Sequence, residues 1–416
     1  MIKRVNINKN KEEGITTMKK NNLKMIVAIS VLFLSGLFAK EMSGASGISS
    51  AKVAEGMENQ SPQISVVNIN NIAYWIGADG AYTTAGSPNG TQADYPIFTG
   101  GAIYASGMLW GSKVKDVVQD DGSLGGQTGQ EIRVGGSSYA HGLKPGRIIT
   151  DANGKALGAD DPTNHHVWRV RTDWATADLT NDAANFYSVA SADVSAAQIA
   201  TVKGQYEFDW MNWPAAWGAP YHDVDGNGAY DAAVDVPGYP GADQTVWTVA
   251  NDVPLIVDAN GDSTGYLNTS PSLAGADAIG IELQITLWGY AFGASDPLGN
   301  VIFKKATMHY KGTPDTPDGA TMDDTYFALF SDPDLGNFTD DYVGCDVPLS
   351  FGYVYNGNRL DGVFNGIYNL AVPAAGYDFL QGPKDTYDID GDEDTDEYLG
   401  MTAFAYYGAG AAISDP

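Results

Sequence analysis

Short runs of apolar or alternating residues recur along the chain from Ile64 onward, with clusters of Gly, Pro, Asn and Asp between them. Runs of this kind, bounded by turn residues, are typical of antiparallel β-structure. The predicted strands lie in residues 64–72, 102–110, 167–174, 245–249, 279–288, 301–310, 326–330 and 349–355.

The clearest strand is the segment 280–288, where four apolar residues alternate with Glu, Gln, Thr and Trp. A period of two places the apolar side chains on one face of a strand and the others on the opposite face. The apolar positions are Ile281, Leu283, Ile285 and Leu287. We expect the segment 301–310 to pair with this strand.

Helical spacing is confined mostly to the region of about 180–204, where Ala, Gln and Val recur behind Asp or Ser caps and predict one or two short helices. The 50 glycines and 19 prolines indicate many loops. Together these features favour a mainly β fold of antiparallel, sandwich-like layers with long Gly/Asp-rich loops. No sequence repeat of fixed period supports a propeller or a solenoid.

The N-terminus has the three regions of a secretory signal in residues 1–39. Lys19, Lys20 and Lys24 precede the apolar run 25–34, and the small residues after this run include Ala39. The alternative is an uncleaved N-terminal anchor, although the run is short for a membrane span. Met18 is the expected true start.

Residues 40–63 are rich in Ser, Gly, Ala and Glu and predict a flexible leader. The body is then residues 64–416, with a division into two subdomains expected near 270–300. We expect no membrane span in the mature chain.

The net charge of −28 disfavours nucleic acid and anionic lipid as partners and concentrates cations near the protein. Cys345 is the single cysteine, so the chain forms no internal disulfide. In an exported protein the stability that disulfides often supply must then come from the core or from a bound metal.

The string DVDGNGAYD carries oxygen ligands at the positions of an EF-hand-like calcium loop. Asp223, Asp225, Asn227 and Asp231 occupy positions 1, 3, 5 and 9, Gly228 occupies position 6, and the Ala229 carbonyl would be the ligand at position 7. Position 12 is Val234, and Asp235 follows it, so we expect a stretched loop that Asp235 closes. The competing interpretation is a solvated Asp/Gly turn.

Two further acidic strings are weaker candidates for calcium. The second runs from Asp332 between the predicted strands 326–330 and 349–355, and its five carboxylates would repel one another without a cation. These carboxylates belong to Asp332, Asp334, Asp340, Asp341 and Asp346. The third alternates Asp388, Asp390 and Asp392 with other residues but lacks the central glycine, so a solvated loop is its alternative.

Aromatic residues cluster just before the first loop, at Trp210, Trp213, Trp217 and Tyr221. Exposed rings would offer a platform for glycans, with Asp209 and Asp231 for polar contacts, whereas buried rings would be core that fixes the loop. The sequence contains none of the common hydrolase, zinc-protease or nucleotide-binding motifs. No catalytic residue is therefore named.

Several long strings, among them QYEFDWMNWPAAWGAPYHDVDGNGAYD, SDPDLGNFTDDYVGCD, GYVYNG and GYDFLQGP, resemble a family of large secreted bacterial proteins that often carry a C-terminal type IX secretion sorting domain. The resemblance implies a secreted or outer-surface location and a chain that continues beyond Pro416. It carries over no catalytic residue.

The favoured hypothesis is a secreted or cell-surface, non-enzymatic protein of structural or adhesion type, whose Asp-rich loops are stabilised by calcium. The alternative is a secreted glycan-binding or carbohydrate-active protein. Glycans and other surface proteins are the further partners that these hypotheses imply.

Overall fold

A computed structural model describes residues 2–4, 63–127, 132–267, 272–384 and 398–407. Nearly all of the predicted signal peptide and leader lies outside the described residues, and so does the third acidic loop with Asp388, Asp390 and Asp392. Within the described ranges, no helix is long and apolar enough to cross a membrane.

The chain is mainly β. The first strands in chain order are β1 (Ile2–Arg4), β2 (Ile64–Val67), β3 (Ala73–Gly77), β4 (Ala93–Asp94), β5 (Gly101–Ile103), β6 (Ala105–Lys115), β7 (Val117–Val118), β8 (Leu124–Gly125), β9 (Ile132–Gly136), β10 (Lys144–Pro145), β11 (Ile148–Thr150), β12 (Ala156–Ala159) and β13 (Trp168–Arg171). The remaining strands are β14 (Tyr221–His222), β15 (Val236–Pro237), β16 (Gln244–Asn251), β17 (Leu255–Val257), β18 (Ser263–Tyr266), β19 (Ile281–Gly289), β20 (Phe303–Tyr310), β21 (Thr321–Asp332), β22 (Asp341–Asp346), β23 (Phe351–Asn356), β24 (Ala374–Asp378) and β25 (Met401–Ala403).

Two α-helices, α1 (Thr180–Phe186) and α2 (Ala196–Met211), confirm the prediction for the region of about 180–204. Ser195 caps α2 in a reciprocal arrangement, in which its hydroxyl accepts from the Gln198 N–H and the Gln198 side chain accepts from the Ser195 N–H. The helix extends beyond the predicted region because Tyr206 packs with Trp75 in a buried cluster that continues along its inner face.

The central sheet has the strand order β10-β16-β19-β20, and β13 also pairs with β16. The predicted pairing of 301–310 with 280–288 is confirmed, since β19 and β20 are antiparallel with Ile285 opposite Ala306. Every residue of β19 is buried, including the polar ones such as Glu282. The mixed face predicted for this strand is thus covered by protein as fully as the apolar face.

A second layer faces the central sheet and completes a sandwich-like core. It consists of the sheet β2-β3-β4-β5 and the sheet β25-β1-β21-β6-β9. The largest core cluster draws apolar side chains from both layers, for example Ile76 and Trp110 from the second layer and Val246, Leu283 and Ile285 from the central sheet. Burial of these side chains supplies the main stabilising free energy of the fold.

The other described sheets are smaller: β11-β12-β17-β18, β22-β23-β24, β14-β15 and β7-β8. The pair β12 and β17 is parallel and departs from the antiparallel pattern of the rest. Hydrogen bonding crosses the predicted division near 270–300, because β6 pairs with β21 and β16 pairs with β19.

Candidate functional site

The first acidic loop, residues 223–235, connects the two strands of the β14-β15 hairpin. Tyr221 lies opposite Pro237 and His222 lies opposite Val236, so the hairpin holds the two ends of the loop close together. This short ladder brings Asp223, at the start of the loop, near Asp235, at its end.

Asp223, Asp225 and Asp235 form a group of carboxylates in which one oxygen of each lies within 4.8 Å of those of the others. Among the residues that the structure describes, it is the one group of three or more Asp, Glu, His or Cys side chains with this proximity. Asp225 is exposed, whereas Asp235 is only 2% exposed. The group thus has one open side and one side formed by the protein.

The loop backbone is folded around the same carboxylates. Asp223 accepts from the N–H groups of Gly226 and Gly228, each at 2.8 Å, and the bond from Gly228 is the main reason that the pKa of Asp223 lies below its usual range. Asp235 accepts from the N–H groups of Val224 at 2.9 Å and Asp231 at 2.8 Å. The Asp223 carboxylate therefore stays ionised at neutral pH, and the backbone hydrogen bonds hold both carboxylates in position.

The other predicted ligands of this loop are placed differently. Asn227 donates its side-chain N–H to Asp225 at 2.9 Å, and its side-chain oxygen accepts from the Ala229 N–H at 2.7 Å. Asp231 lies outside the carboxylate group, and one of its oxygens accepts from the Ala233 N–H at 2.9 Å. Of the six ligands predicted in this loop, the structure brings three together, the carboxylates of Asp223, Asp225 and Asp235.

Aromatic side chains attach the loop to the end of α2. The Tyr230 hydroxyl donates to the Trp210 carbonyl oxygen at 2.5 Å, and the Trp210 indole N–H donates to the Ala232 carbonyl oxygen at 3.2 Å. The Tyr230 ring meets the Tyr221 ring edge to face at 5.5 Å between centroids. These contacts hold both arms of the loop against the body of the protein.

The cluster of rings before the loop is largely packed inside the protein. Trp213 is buried, and its indole N–H donates to the Pro220 carbonyl oxygen at 2.8 Å. Trp210, Trp217 and Tyr221 pack against the same buried cluster, and Arg147 lies 4.5 Å above the Trp217 ring. This arrangement is core packing, the alternative to a glycan platform, and it leaves the rings little free face.

The second acidic string does not form the single loop between strands that the sequence predicts. Residues Asp341–Asp346 form β22, which pairs along its whole length with β23. The second half of the acidic string is therefore a strand, and the loop is only residues 333–340. Cys345 lies within β22 and is partly exposed.

The five aspartates of this string have different surroundings. Asp332 accepts from the Tyr139 hydroxyl at 2.6 Å, Asp341 from the Leu335 N–H at 2.8 Å, and Asp346 from the Leu349 N–H at 3.1 Å. Asp340 accepts from the Asn358 side-chain amide, and Asp334 also has a contact of its own. They do not form a group of three within 4.8 Å among the described residues.

Repulsion within this string is nevertheless present around Asp341. Burial, followed by the charges of Asp340, Asp361 and Asp332, raises the pKa of Asp341 to about 6. Asp361 was not identified from the sequence, although its string DGVFNG has the composition of a turn. It is buried and accepts from the Asn337 N–H at 2.9 Å.

Sequence reasoning also missed a buried pair, His166 and Asp209, because only the fold brings them together. The His166 ring nitrogen Nε2 lies 2.9 Å from Asp209 Oδ1, and the other carboxylate oxygen accepts from the Arg169 N–H at 2.8 Å. Both side chains are buried. The pair joins α2 to the start of β13 and has the surroundings of a structural contact.

Comparison of the chain with protein-family models, with curated proteins and with solved structures gave no match.

Proposed function

We propose that this chain is a calcium-stabilised, non-enzymatic β-protein of the bacterial exterior, with a structural or adhesion-type role. The observation that carries the proposal is the group formed by Asp223, Asp225 and Asp235 in a loop with calcium-loop spacing. Hard oxygen ligands at alternate residues are the donors that calcium prefers.

A calcium ion would act here by joining the two ends of the loop. Three carboxylates within 4.8 Å repel one another, and a divalent cation between them turns that repulsion into attraction. Asp223 and Asp225 follow β14, whereas Asp235 precedes β15. An ion bound to all three would stabilise the hairpin, and through Tyr230 and Trp210 it would stabilise the end of α2 as well.

The exterior location rests on the predicted signal in residues 1–39 and on the resemblance to secreted proteins. The absence of an internal disulfide fits a protein that obtains part of its stability from an ion that is abundant outside cells. The high negative charge supports the same proposal, because it raises the local concentration of divalent cations.

The test is thermal unfolding of the purified chain in excess EDTA and in a calcium series. The melting temperature should rise with calcium, and at a concentration 100 times the dissociation constant the added stability should be about 2.7 kcal/mol. Asp225→Ala should remove most of this shift and should change the melting temperature in EDTA little, because Asp225 is exposed.

Asp258→Ala is the matched control. Asp258 opens a similar exposed turn, where it accepts from the Asn260 N–H at 2.8 Å and from the Asp262 N–H at 3.0 Å. Within the described part of the chain, it belongs to no group of three close carboxylates. It should keep the full calcium shift. A wild-type melting temperature that is the same in EDTA and in calcium would refute the proposal.

A further inference from the structure

The outward face of the sheet β22-β23-β24 carries a continuous row of aromatic rings. Phe351, Tyr353 and Tyr355 alternate along the middle strand, and Tyr342 on β22 lies directly opposite Tyr355. Directly opposite residues of an antiparallel pair share a face of the sheet, so the four rings project from one side. Val354, which points to the other side, is buried in a core cluster.

The rings are neighbours with similar orientation. The centroid distances are 5.6 Å for Phe351 and Tyr353, 6.3 Å for Tyr353 and Tyr355, and 6.0 Å for Tyr355 and Tyr342. The interplanar angles in the same order are 24°, 31° and 24°. The three tyrosines keep 40% to 58% of their surface exposed, which is a large aromatic area for the surface of a soluble sheet.

Glycines on the flanking strands make room for these rings. A side-chain carbon at Gly344 on β22 would collide with the Tyr353 ring, and one at Gly376 on β24 would lie 2.9 Å from two carbons of the Phe351 ring. Gly357 stands in the same relation to Tyr342. The rings therefore lean across the neighbouring backbone, so that one part of each ring is covered and the rest is open to solvent.

The charges on this face select the kind of ligand. Asp346 and Asp378 lie opposite Phe351 on the two flanking strands, one on each side. The three strands contain no Lys, Arg or His. Acidic polymers are therefore repelled, whereas hydroxyl groups can donate hydrogen bonds to the two carboxylates.

We infer that this aromatic face, Tyr342, Phe351, Tyr353 and Tyr355, binds a linear polysaccharide without acidic groups. The C–H face of a sugar ring carries a positive partial charge and stacks on the negative face of an aromatic ring. A row of similarly oriented rings offers this contact to successive sugars of a linear chain. Peptides, in contrast, are recognised mainly along sheet edges or in grooves, and this surface is the face of a sheet.

The site is separate from the acidic loop 223–235, and the inference does not rest on calcium. The test is affinity electrophoresis of the purified chain in gels that contain hydroxyethyl cellulose, xylan or galactomannan, each run in EDTA and in calcium. Migration should be retarded by at least one of these neutral polymers in both buffers. Gels that contain alginate should cause no retardation, because that polymer is acidic.

Variants identify the rings as the binding surface. Tyr353→Leu and Tyr355→Leu should each weaken binding by about tenfold, which corresponds to about 1.4 kcal/mol for one aromatic contact. Tyr266→Leu, at an exposed tyrosine of β18, is the matched control and should bind as the wild type does. Urea unfolding of each variant verifies that it is folded.

Gly344→Val keeps every ring and displaces Tyr353 from its place over β22, so it should also weaken binding. This variant keeps the inference testable if a tyrosine variant unfolds. Failure of all three neutral polymers to retard the chain would overturn the inference, and so would equal retardation by alginate or retardation that the ring variants leave unchanged. Ring-dependent binding to polylysine without binding to a neutral polymer would overturn it as well, in favour of a cationic peptide.

Discussion

The Arg169 guanidinium donates a hydrogen bond to the Asp182 carboxylate at 2.6 Å, and both side chains are almost fully buried. The pair joins β13 of the central sheet to α1. The Tyr206 hydroxyl of α2 also donates to Asp182, at 2.6 Å. Burial acts to raise the pKa of Asp182, but Arg169 and the other donors outweigh it and hold the pKa below its usual range.

Removal of one partner of this ion pair should be strongly destabilising. Asp182→Ala leaves the Arg169 charge buried without its main partner, so we expect a loss of about 3–5 kcal/mol in the free energy of unfolding. Equilibrium urea unfolding measures this loss. The control is Asp173→Ala, which removes an ion pair to Arg171 whose acid is half-exposed, and it should cost at most about 1 kcal/mol. Equal costs for the two variants would contradict the assigned role of burial.

The ionised Asp160 side chain should stabilise the folded chain, and this stabilisation should be lost in acid. Burial acts to raise its pKa, but hydrogen bonds from His165 and Arg147 outweigh burial and lower the pKa to about 2. Because this pKa is lower in the folded than in the unfolded chain, the contribution is present above about pH 4 and is lost as the pH falls toward 2.

We therefore expect the free energy of unfolding of the wild type to fall between pH 4 and pH 2 by roughly 1–2 kcal/mol more than that of Asp160→Asn, since water screens part of the interaction. Urea unfolding at several pH values measures the difference. The difference should become small near pH 2, where about half of the wild-type side chains are neutral. Parallel pH profiles would contradict the assignment.

Asp341 should have the opposite effect on stability. Its pKa is raised to about 6, first by burial and then by neighbouring carboxylates. The ionised form opposes folding, so wild-type stability in EDTA should increase as the pH falls from about 7 toward 4. Asp341→Asn should be more stable than the wild type at pH 8, and this gain should shrink below pH 6.

The same variant tests whether the second acidic string binds calcium. If its aspartates hold calcium, Asp341→Asn should lose its advantage at pH 8 when calcium replaces EDTA, because a ligand is missing. A gain in stability that depends on neither pH nor calcium would show that charge repulsion is not the reason for it.

Gly280 should be a position at which a methyl group is poorly tolerated. Its φ is +87°, and a side-chain carbon would collide with the backbone of Gly312. Gly275 has a φ of +73° with open space around it. Gly275→Ala should cost about 1–2 kcal/mol from the backbone conformation alone. Gly280→Ala should cost a further 1–3 kcal/mol or so from the collision, as measured by urea unfolding.

The sequence by itself determined the fold class and most strand positions, because both depend on local periodicity. The alternation in residues 280–288 predicts β19 and its pairing with 301–310. The spacing of Asp223, Asp225 and Asp235 likewise identifies the carboxylates that the structure assembles. Residues of one short loop remain neighbours after folding, so their spacing in the sequence predicts which of them lie together.

Tertiary structure decided the features that depend on distant parts of the chain. Periodicity separates the two faces of β19 but does not reveal that the polar face is covered too, by segments that include Trp217 and Tyr239. Likewise, only pairing with β23 converts half of the second acidic string into a strand and aligns Tyr342 with Tyr355. Such contacts join residues far apart in sequence, and packing free energy, which no local pattern contains, selects them.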